Sequence, residues 1–134
     1  RLPTLANTVS LTLVSPGAGP VATGDPVLIE WALEVVVKNA IDALSGRGGR
    51  IEVRVDGTDR TARIAVSDDG PGVPPEMRGQ LFEPGVSTKT GGWGIGLALA
   101  RRIVEQQHGG RVWYQAGADG KGSLFVLEFP LTAA

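Results

Sequence analysis

Two segments of alternating apolar and polar residues lie near the middle of the chain, and they limit the possible folds more than any other part of it. Arg50–Asp56 and Thr61–Ser67 each place apolar side chains at alternate positions, which is the period of a half-buried strand. The four residues between them, 57–60, include a glycine and an aspartate. The two segments are therefore predicted to form an antiparallel hairpin.

Helical segments are predicted on both sides of this hairpin. The first begins around Asp25 and Pro26, because aspartate suits the N-cap and proline the first helical position, and it runs through Leu44 to a glycine cluster. A short helix is predicted at Glu76–Leu81, and a second long helix from about Gly94 to about Gln107. The helices thus lie between strand pairs in the sequence.

Further strand signals stand at both ends of the chain. They are Thr8–Val14, a short segment Val21–Thr23, Arg111–Ala116 and Ser123–Pro130. The resulting order predicts an α+β fold, a two-layer sandwich with a mixed, mostly antiparallel sheet of about five strands and three helices on one face. A length of 134 residues predicts a single domain, 1–134.

Composition excludes several classes of function. The net charge of −1 gives no basic surface for nucleic acid or for direct insertion at an anionic membrane. The absence of cysteine excludes disulfides, thiolate zinc sites and a cysteine nucleophile, and it suits a reducing compartment. The chain opens at Arg1 without methionine, and we expect it to be a part of a longer protein.

The first segment whose side chains could bind a ligand is in the first helix. Lys38-Asn39-Ala40 places a neutral amide within a mostly apolar helix, and a buried amide costs free energy unless it finds partners. Asn39 either bonds nearby backbone or offers its oxygen to hydrated Mg²⁺, a cation that prefers oxygen ligands. Asp42, one turn later, either supports that site or faces solvent.

The second segment, Asp68-Asp69-Gly70-Pro71-Gly72-Val73, directly follows a predicted strand. Asp, Gly and Pro form ordinary turns, so a simple loop is one interpretation. The other is a base-binding site, in which a carboxylate at the strand end accepts the exocyclic amine of adenine. Two glycines would then let the backbone pass close to the planar base.

The third segment leads into the last helix. Glycines at 92, 94 and 96 can offer backbone amides and the positive end of a helix dipole to phosphate groups. A Walker loop is excluded because Leu97 follows Gly96, where that motif needs Lys-Ser/Thr, and the spacing differs from that of a dinucleotide fingerprint. The side chains available to complete a lid over the phosphates are Ser87, Thr88, Lys89 and Thr90.

In this order, the segments resemble the catalytic domains of sensor histidine kinases from Gly24 to Pro130. The matching motifs are the N box at Lys38-Asn39-Ala40, the G1 box at Asp68-x-Gly70-x-Gly72, the F box at Phe82-Glu83-Pro84 and the G2 box at Gly92-x-Gly94-x-Gly96-Leu97. The resemblance implies the Bergerat ATP-binding fold, in which Asn39 holds Mg²⁺, Asp68 recognises adenine and the segment 82–96 forms the lid. Its glycine content predicts that this lid is not ordered without nucleotide.

The same resemblance implies a set of residues that bind ATP or ADP. Asn39 and Lys89 are the candidate catalytic residues, and Asn39 is the candidate magnesium ligand. The candidate nucleotide-binding residues are Asn39, Asp42, Asp68, Gly70, Gly72, Val73, Phe82, Ser87, Thr88, Lys89, Gly92, Gly94, Ile95, Gly96, Leu97 and Ser123.

The resemblance also implies a reaction and its partners. The γ-phosphoryl group of ATP would pass to a histidine on a separate dimerisation helix domain of the parent kinase, with a response regulator as an indirect partner and a cytoplasmic location. The only histidine, His108, stands at the end of the second long helix, where a capping role is the ordinary expectation. The fragment is therefore expected to bind ATP without phosphorylating itself.

Related ATPases and serine kinases of this fold place a glutamate four residues before the metal-binding asparagine. Val35 occupies that position here, and many histidine kinases have a second asparagine there. Glu34 lies about 140° from Asn39 around a helix and Val35 about 40°, so Glu34 is expected to point away from the metal and to pair with Lys38. An ATP-hydrolysing switch, a serine kinase and a nucleotide-binding module without catalysis stay open as alternatives.

Overall fold

The structure is a computed structural model that describes residues 9–14, 26–44, 48–57, 60–83, 96–117 and 122–130. Five strands and three helices follow one another along these segments. Their bounds are β1 Val9–Val14, α1 Pro26–Ala43, β2 Gly49–Gly57, β3 Thr61–Asp68, α2 Pro75–Arg78, α3 Gly96–Arg101, β4 Arg111–Ala116 and β5 Ser123–Pro130.

The strands form one mixed sheet in the order β1-β2-β3-β5-β4. β2 and β3 are the predicted antiparallel hairpin, β5 is antiparallel to both β3 and β4, and β1 is parallel to β2. In this register Asp68, the last residue of β3, lies between Ile51 of β2 and Ser123 of β5. The central strand thus delivers Asp68 to one end of the sheet.

The helices cover one face of this sheet. On α1, Ala32, Val36 and Ala40 have no exposed surface, and their spacing of four residues places them on one side of the helix. They join one core cluster with sheet residues that alternate along the strands and share a face through the register: Ile51, Val53, Val66, Val112, Phe125, Leu127 and Phe129. The predicted two-layer α+β sandwich is confirmed.

Two helices differ from their predicted form. The short helix ends at Arg78, and the residues after it continue as turns in which Gln80 and Leu81 donate to carbonyls three residues back. The prediction that it extends to Leu81 was therefore wrong. The last long helix changes from α to π form at Arg102 and keeps that form to Gln107, a change that periodicity does not signal.

Several predicted features lie outside the described residues: the segment Val21–Thr23, most of the loop after Phe82, and the start of the last helix near Gly94. The hairpin, the first helix and the two closing strands lie within a residue or two of their predicted bounds. Within the described ranges, no helix is both long and apolar enough to cross a bilayer.

Candidate functional site

Asp68 is a buried carboxylate at the end of the central strand. It is 8% exposed and lies on the helix-covered face of the sheet, because it is two residues beyond the core residue Val66. Its Oδ1 accepts a hydrogen bond of 2.9 Å from the backbone N–H of Gly70. This bond turns the chain sharply after β3 and fixes the orientation of the carboxylate.

The start of β5 passes very close to this turn. The backbone N–H of Gly122 donates to the Gly70 carbonyl at 2.9 Å. Gly122 has a φ of 76°, and a Cβ at this position would run into the carbonyl oxygen of Asp68. A glycine is therefore required where β5 supports the turn that carries the carboxylate.

The adjacent carboxylate, Asp69, has a different environment. It is exposed, its Oδ1 accepts from the backbone N–H of Arg50 at 2.9 Å, and its own N–H donates to the Arg50 carbonyl at 3.3 Å. These bonds extend the β2–β3 pairing by one residue. Asp69 is thus bound to the backbone of β2, whereas Asp68 lies on the face that the helices cover.

The loop after Gly70 is held at Val73. The backbone N–H of Val73 donates to Tyr114 Oη at 3.1 Å, and Arg78 Nε donates to the Val73 carbonyl at 3.0 Å. Neither Tyr114 nor Arg78 is among the predicted site residues. No local signal links Tyr114 to this loop, because it is 41 residues from Val73 along the chain. Arg78 is only five residues from Val73, but no motif marks it.

The C-terminal end of α1 closes the other side of the turn. A Cβ at Gly70 would lie 3.3 Å from Leu44 Cδ2 and 3.4 Å from the Ala43 carbonyl oxygen, so α1 ends against the loop. Asn39 and Asp42 are on this last part of the helix and are both half-buried. Together with the half-buried Val35 they form one flank of α1, at the boundary between core and solvent.

Glu34 is exposed on α1, as its angular distance from Asn39 predicted. Lys38 Nζ lies 3.3 Å from Asp42 Oδ1, and the Lys38 side chain is 50% exposed. Such an exposed pair contributes little stability, about 0.3–0.5 kcal/mol. The Asp42 carboxylate is therefore available to other partners at small cost.

Asn39 was also predicted to hold a magnesium ion, with Asp42 either supporting that site or facing solvent. The described part of the chain contains no group of three or more acidic, histidine or cysteine side chains arranged to hold a metal. The amide oxygen of Asn39 and the carboxylate of Asp42 are oxygen donors on one helix flank, which is the ligand type that Mg²⁺ takes. These residues fit a cation whose remaining ligands are water and phosphate.

Other predicted site residues act as supports in the described structure. Phe82 packs edge-on against Phe125, with ring centroids 6.1 Å apart. Gly96 and Leu97 are buried at the start of α3, and the buried Ser123 donates from Oγ to Tyr114 Oη at 3.4 Å. The predicted residues outside the described ranges are Ser87, Thr88, Lys89, Gly92, Gly94 and Ile95.

Comparison with known proteins agrees with this architecture. Residues 24–133 match the family described as histidine kinase-, DNA gyrase B-, and HSP90-like ATPase. The sensory histidine kinase/phosphatase NtrB of Salmonella typhimurium (strain LT2) is 40% identical over 98 residues, which are 66% of this chain and 28% of NtrB. The chain thus spans less than a third of this curated relative.

Solved structures show the same fold. The catalytic domain of histidine kinase ThkA, in a nucleotide-free form, superposes with a TM-score of 0.84 at 29% identity, covering 94% of this chain and 81% of that domain. ThkA in complex with the response regulator protein TrrA superposes with a TM-score of 0.77 at 27% identity, covering 92% of this chain and 34% of that one. The protein therefore belongs to the histidine kinase-, DNA gyrase B- and HSP90-like ATPase family, as a catalytic and ATP-binding domain of the sensor histidine kinase type.

Proposed function

We propose that the domain binds Mg-ATP and transfers its γ-phosphoryl group to a histidine on a separate helical domain of a longer kinase. The observation that supports this most directly is the buried Asp68, held by Gly70 and Gly122 at the end of the central strand. A carboxylate that is 8% exposed is costly unless it is hydrogen-bonded. An adenine amine would supply a donor to this carboxylate.

One oxygen of the Asp68 carboxylate has a structural role that a substitution can keep. Oδ1 accepts the Gly70 amide at 2.9 Å, so an asparagine at position 68 can keep this bond through its own oxygen. Its NH₂ group then replaces the second carboxylate oxygen and presents a donor where the base also presents a donor. Asp68→Asn should therefore preserve the turn and lose the base.

Calorimetry of ATP and ADP binding tests the site. We expect the wild type to bind both nucleotides and Asp68→Asn to bind them at least about tenfold more weakly, because hydrogen bonds to charged groups contribute about 1.5–3 kcal/mol. Asp69→Asn is the matched control, since Asp69 is exposed and its Oδ1 accepts from the backbone N–H of Arg50 on β2, a bond that an asparagine oxygen can keep. Equal binding by wild type and Asp68→Asn would contradict the assignment of the base site.

Asn39 and Asp42 would hold the magnesium ion of Mg-ATP from the flank of α1. When bound, the ion would neutralise phosphate charge, which together with positioning accounts for most of the catalysis of phosphoryl transfer. The chain's own contribution is to fix the two oxygen donors on a helix whose C-terminal end packs against Gly70. Lys89, Ser87 and Thr88 are proposed to cover the phosphates.

The class of the acceptor is inferred from the described residues around Asn39 on α1. Val35 is apolar and Glu34 is exposed, so neither offers a base on the Asn39 flank, and Asp42, the carboxylate of that flank, is assigned to the magnesium ion. A neutral imidazole is a nucleophile near pH 7 and needs no such base. A histidine therefore suits this site better than water or serine does.

His108 is not proposed as the acceptor. It is half-buried, its Nδ1 lies 2.8 Å from the Ile103 carbonyl oxygen, and its ring packs edge-on against Phe129 with centroids 5.8 Å apart. These contacts make it a helix-end support, as the sequence predicted. The acceptor histidine must come from outside this chain.

Transfer is tested with labelled ATP, the 134-residue chain and a separately supplied helical histidine domain of the parent kinase. We expect label on the added domain and none on the chain alone. A response regulator would then accept the group, by analogy with ThkA, which forms a complex with TrrA. Label on the chain itself, or nucleotide binding without transfer, would contradict the proposed reaction.

A further inference from the structure

The loop that follows Asp68 is anchored at one residue from two directions. Tyr114 Oη accepts from the Val73 N–H at 3.1 Å, and Arg78 Nε donates to the Val73 carbonyl at 3.0 Å. The Arg78 guanidinium also lies over the Tyr114 ring, 5.7 Å from its centroid. Both backbone polar groups of Val73 are therefore held by two side chains that contact each other.

Tyr114 is itself held in place by the core. Its ring packs against Phe125, with centroids 5.2 Å apart and an interplanar angle of 62°, and Phe125 is 1% exposed. Its hydroxyl also accepts from Ser123 Oγ at 3.4 Å. Ser123 pairs in register with Asp68, so the Tyr114 hydroxyl connects the loop to the β5 residue that lies next to Asp68 in the sheet.

We propose that Tyr114 and Arg78 are positioning residues for the nucleotide site, which hold the loop 70–73 at the distance from Asp68 that a planar base requires. This role rests on the proposed function of Asp68 as the adenine acceptor. Neither side chain needs to touch the nucleotide. They act through the Val73 backbone, and the loop is held before any ligand arrives, so less ordering is needed on binding.

The hydroxyl of Tyr114 can be separated from its ring. Tyr114→Phe keeps the contact with Phe125 and with Arg78 and removes only the acceptor for Val73 and Ser123. The core should survive this change. The loop amide loses its partner, and the loop should become less well positioned.

Trp113 provides a matched control on the same strand. It lies on the opposite face of the sheet and donates from Nε1 to Gln115 Oε1 at 3.0 Å, away from the loop. Trp113→Phe thus also removes one side-chain hydrogen bond from an aromatic residue of β4. For Arg78, the change to Lys keeps a donor, whereas the change to Met removes it.

The test is calorimetry with ATP and with ADP, on folded variants whose thermal unfolding is measured in parallel. Because one net hydrogen bond contributes roughly 0.5–1.5 kcal/mol, we expect Tyr114→Phe to weaken binding by about three- to tenfold. Both nucleotides should lose the same factor, since the loop supports the adenine end that they share. Arg78→Met should lose affinity likewise, Arg78→Lys should retain more of it, and Trp113→Phe should bind like the wild type.

Amide hydrogen exchange of the nucleotide-free protein gives a second, independent measurement. Exchange at Val73 should become faster in Tyr114→Phe and stay unchanged in Trp113→Phe. Wild-type affinity in Tyr114→Phe, or unchanged exchange at Val73, would overturn the positioning role while leaving the proposed function intact. A wild type that binds neither nucleotide would overturn the proposed function and, with it, this role.

Discussion

The close approach of β5 to β3 gives two separate reasons why a substitution of Gly122 should destabilise the protein. Its φ of 76° lies in the left-handed region, where an L-residue costs about 1–2 kcal/mol. A Cβ at this position also meets the Asp68 carbonyl oxygen, and overpacking costs about 1–3 kcal/mol. We therefore expect Gly122→Ala to lower the free energy of unfolding by about 2–5 kcal/mol.

Gly109 separates these two contributions. Its φ of 68° is nearly the same, but a Cβ there has no atom within 4 Å. Gly109→Ala should therefore cost only the conformational part, about 1–2 kcal/mol. The difference between the two variants measures the contact with the backbone of Asp68.

Urea denaturation gives both free energies, and calorimetry with ADP gives the effect on the site. Gly122→Ala should weaken ADP binding because relief of the contact displaces Asp68, and Gly109→Ala should leave binding unchanged. Equal destabilisation by the two substitutions would refute the reasoning. It would mean that only the backbone conformation, and not the closeness of β5 to Asp68, requires glycine at position 122.

Two further predictions concern the acceptor and the core. Glu34→Ala should retain phosphoryl transfer in the labelled-ATP assay, because Glu34 is exposed. Asn39→Ala should lose transfer in the same assay. Loss of transfer in both variants would favour an enzyme that activates water or serine. Phe125→Ala should lower the free energy of unfolding in urea by about 3–5 kcal/mol, because its ring is 1% exposed and packs on Phe82 and Tyr114. The control is Val27→Ala, a change at a 71% exposed residue, and its free energy of unfolding should stay within about 0.5 kcal/mol of the wild-type value. Similar destabilisation by Phe125→Ala and Val27→Ala would contradict this account of the core.

Tertiary packing stabilises α1 as a helix, although part of its sequence favours a strand. Val35, Val36 and Val37 are β-branched and favour a strand. The helix is stable because Ala32, Val36 and Ala40 bury one continuous side against the sheet, and this gain exceeds the small loss of propensity. Its length and its end signals predicted this outcome, since they already indicated a helix.

The sequence by itself determined the features whose physical cause is local. The hairpin of β2 and β3 follows from alternation and a short turn, and the motifs at Asn39 and Asp68 identified the family before any coordinates. Features that depend on distant residues were decided by the tertiary structure. The pairing of β3 with β5 and the bond from Val73 to Tyr114 join segments that are far apart along the chain, and no periodicity or turn chemistry in one segment encodes its distant partner.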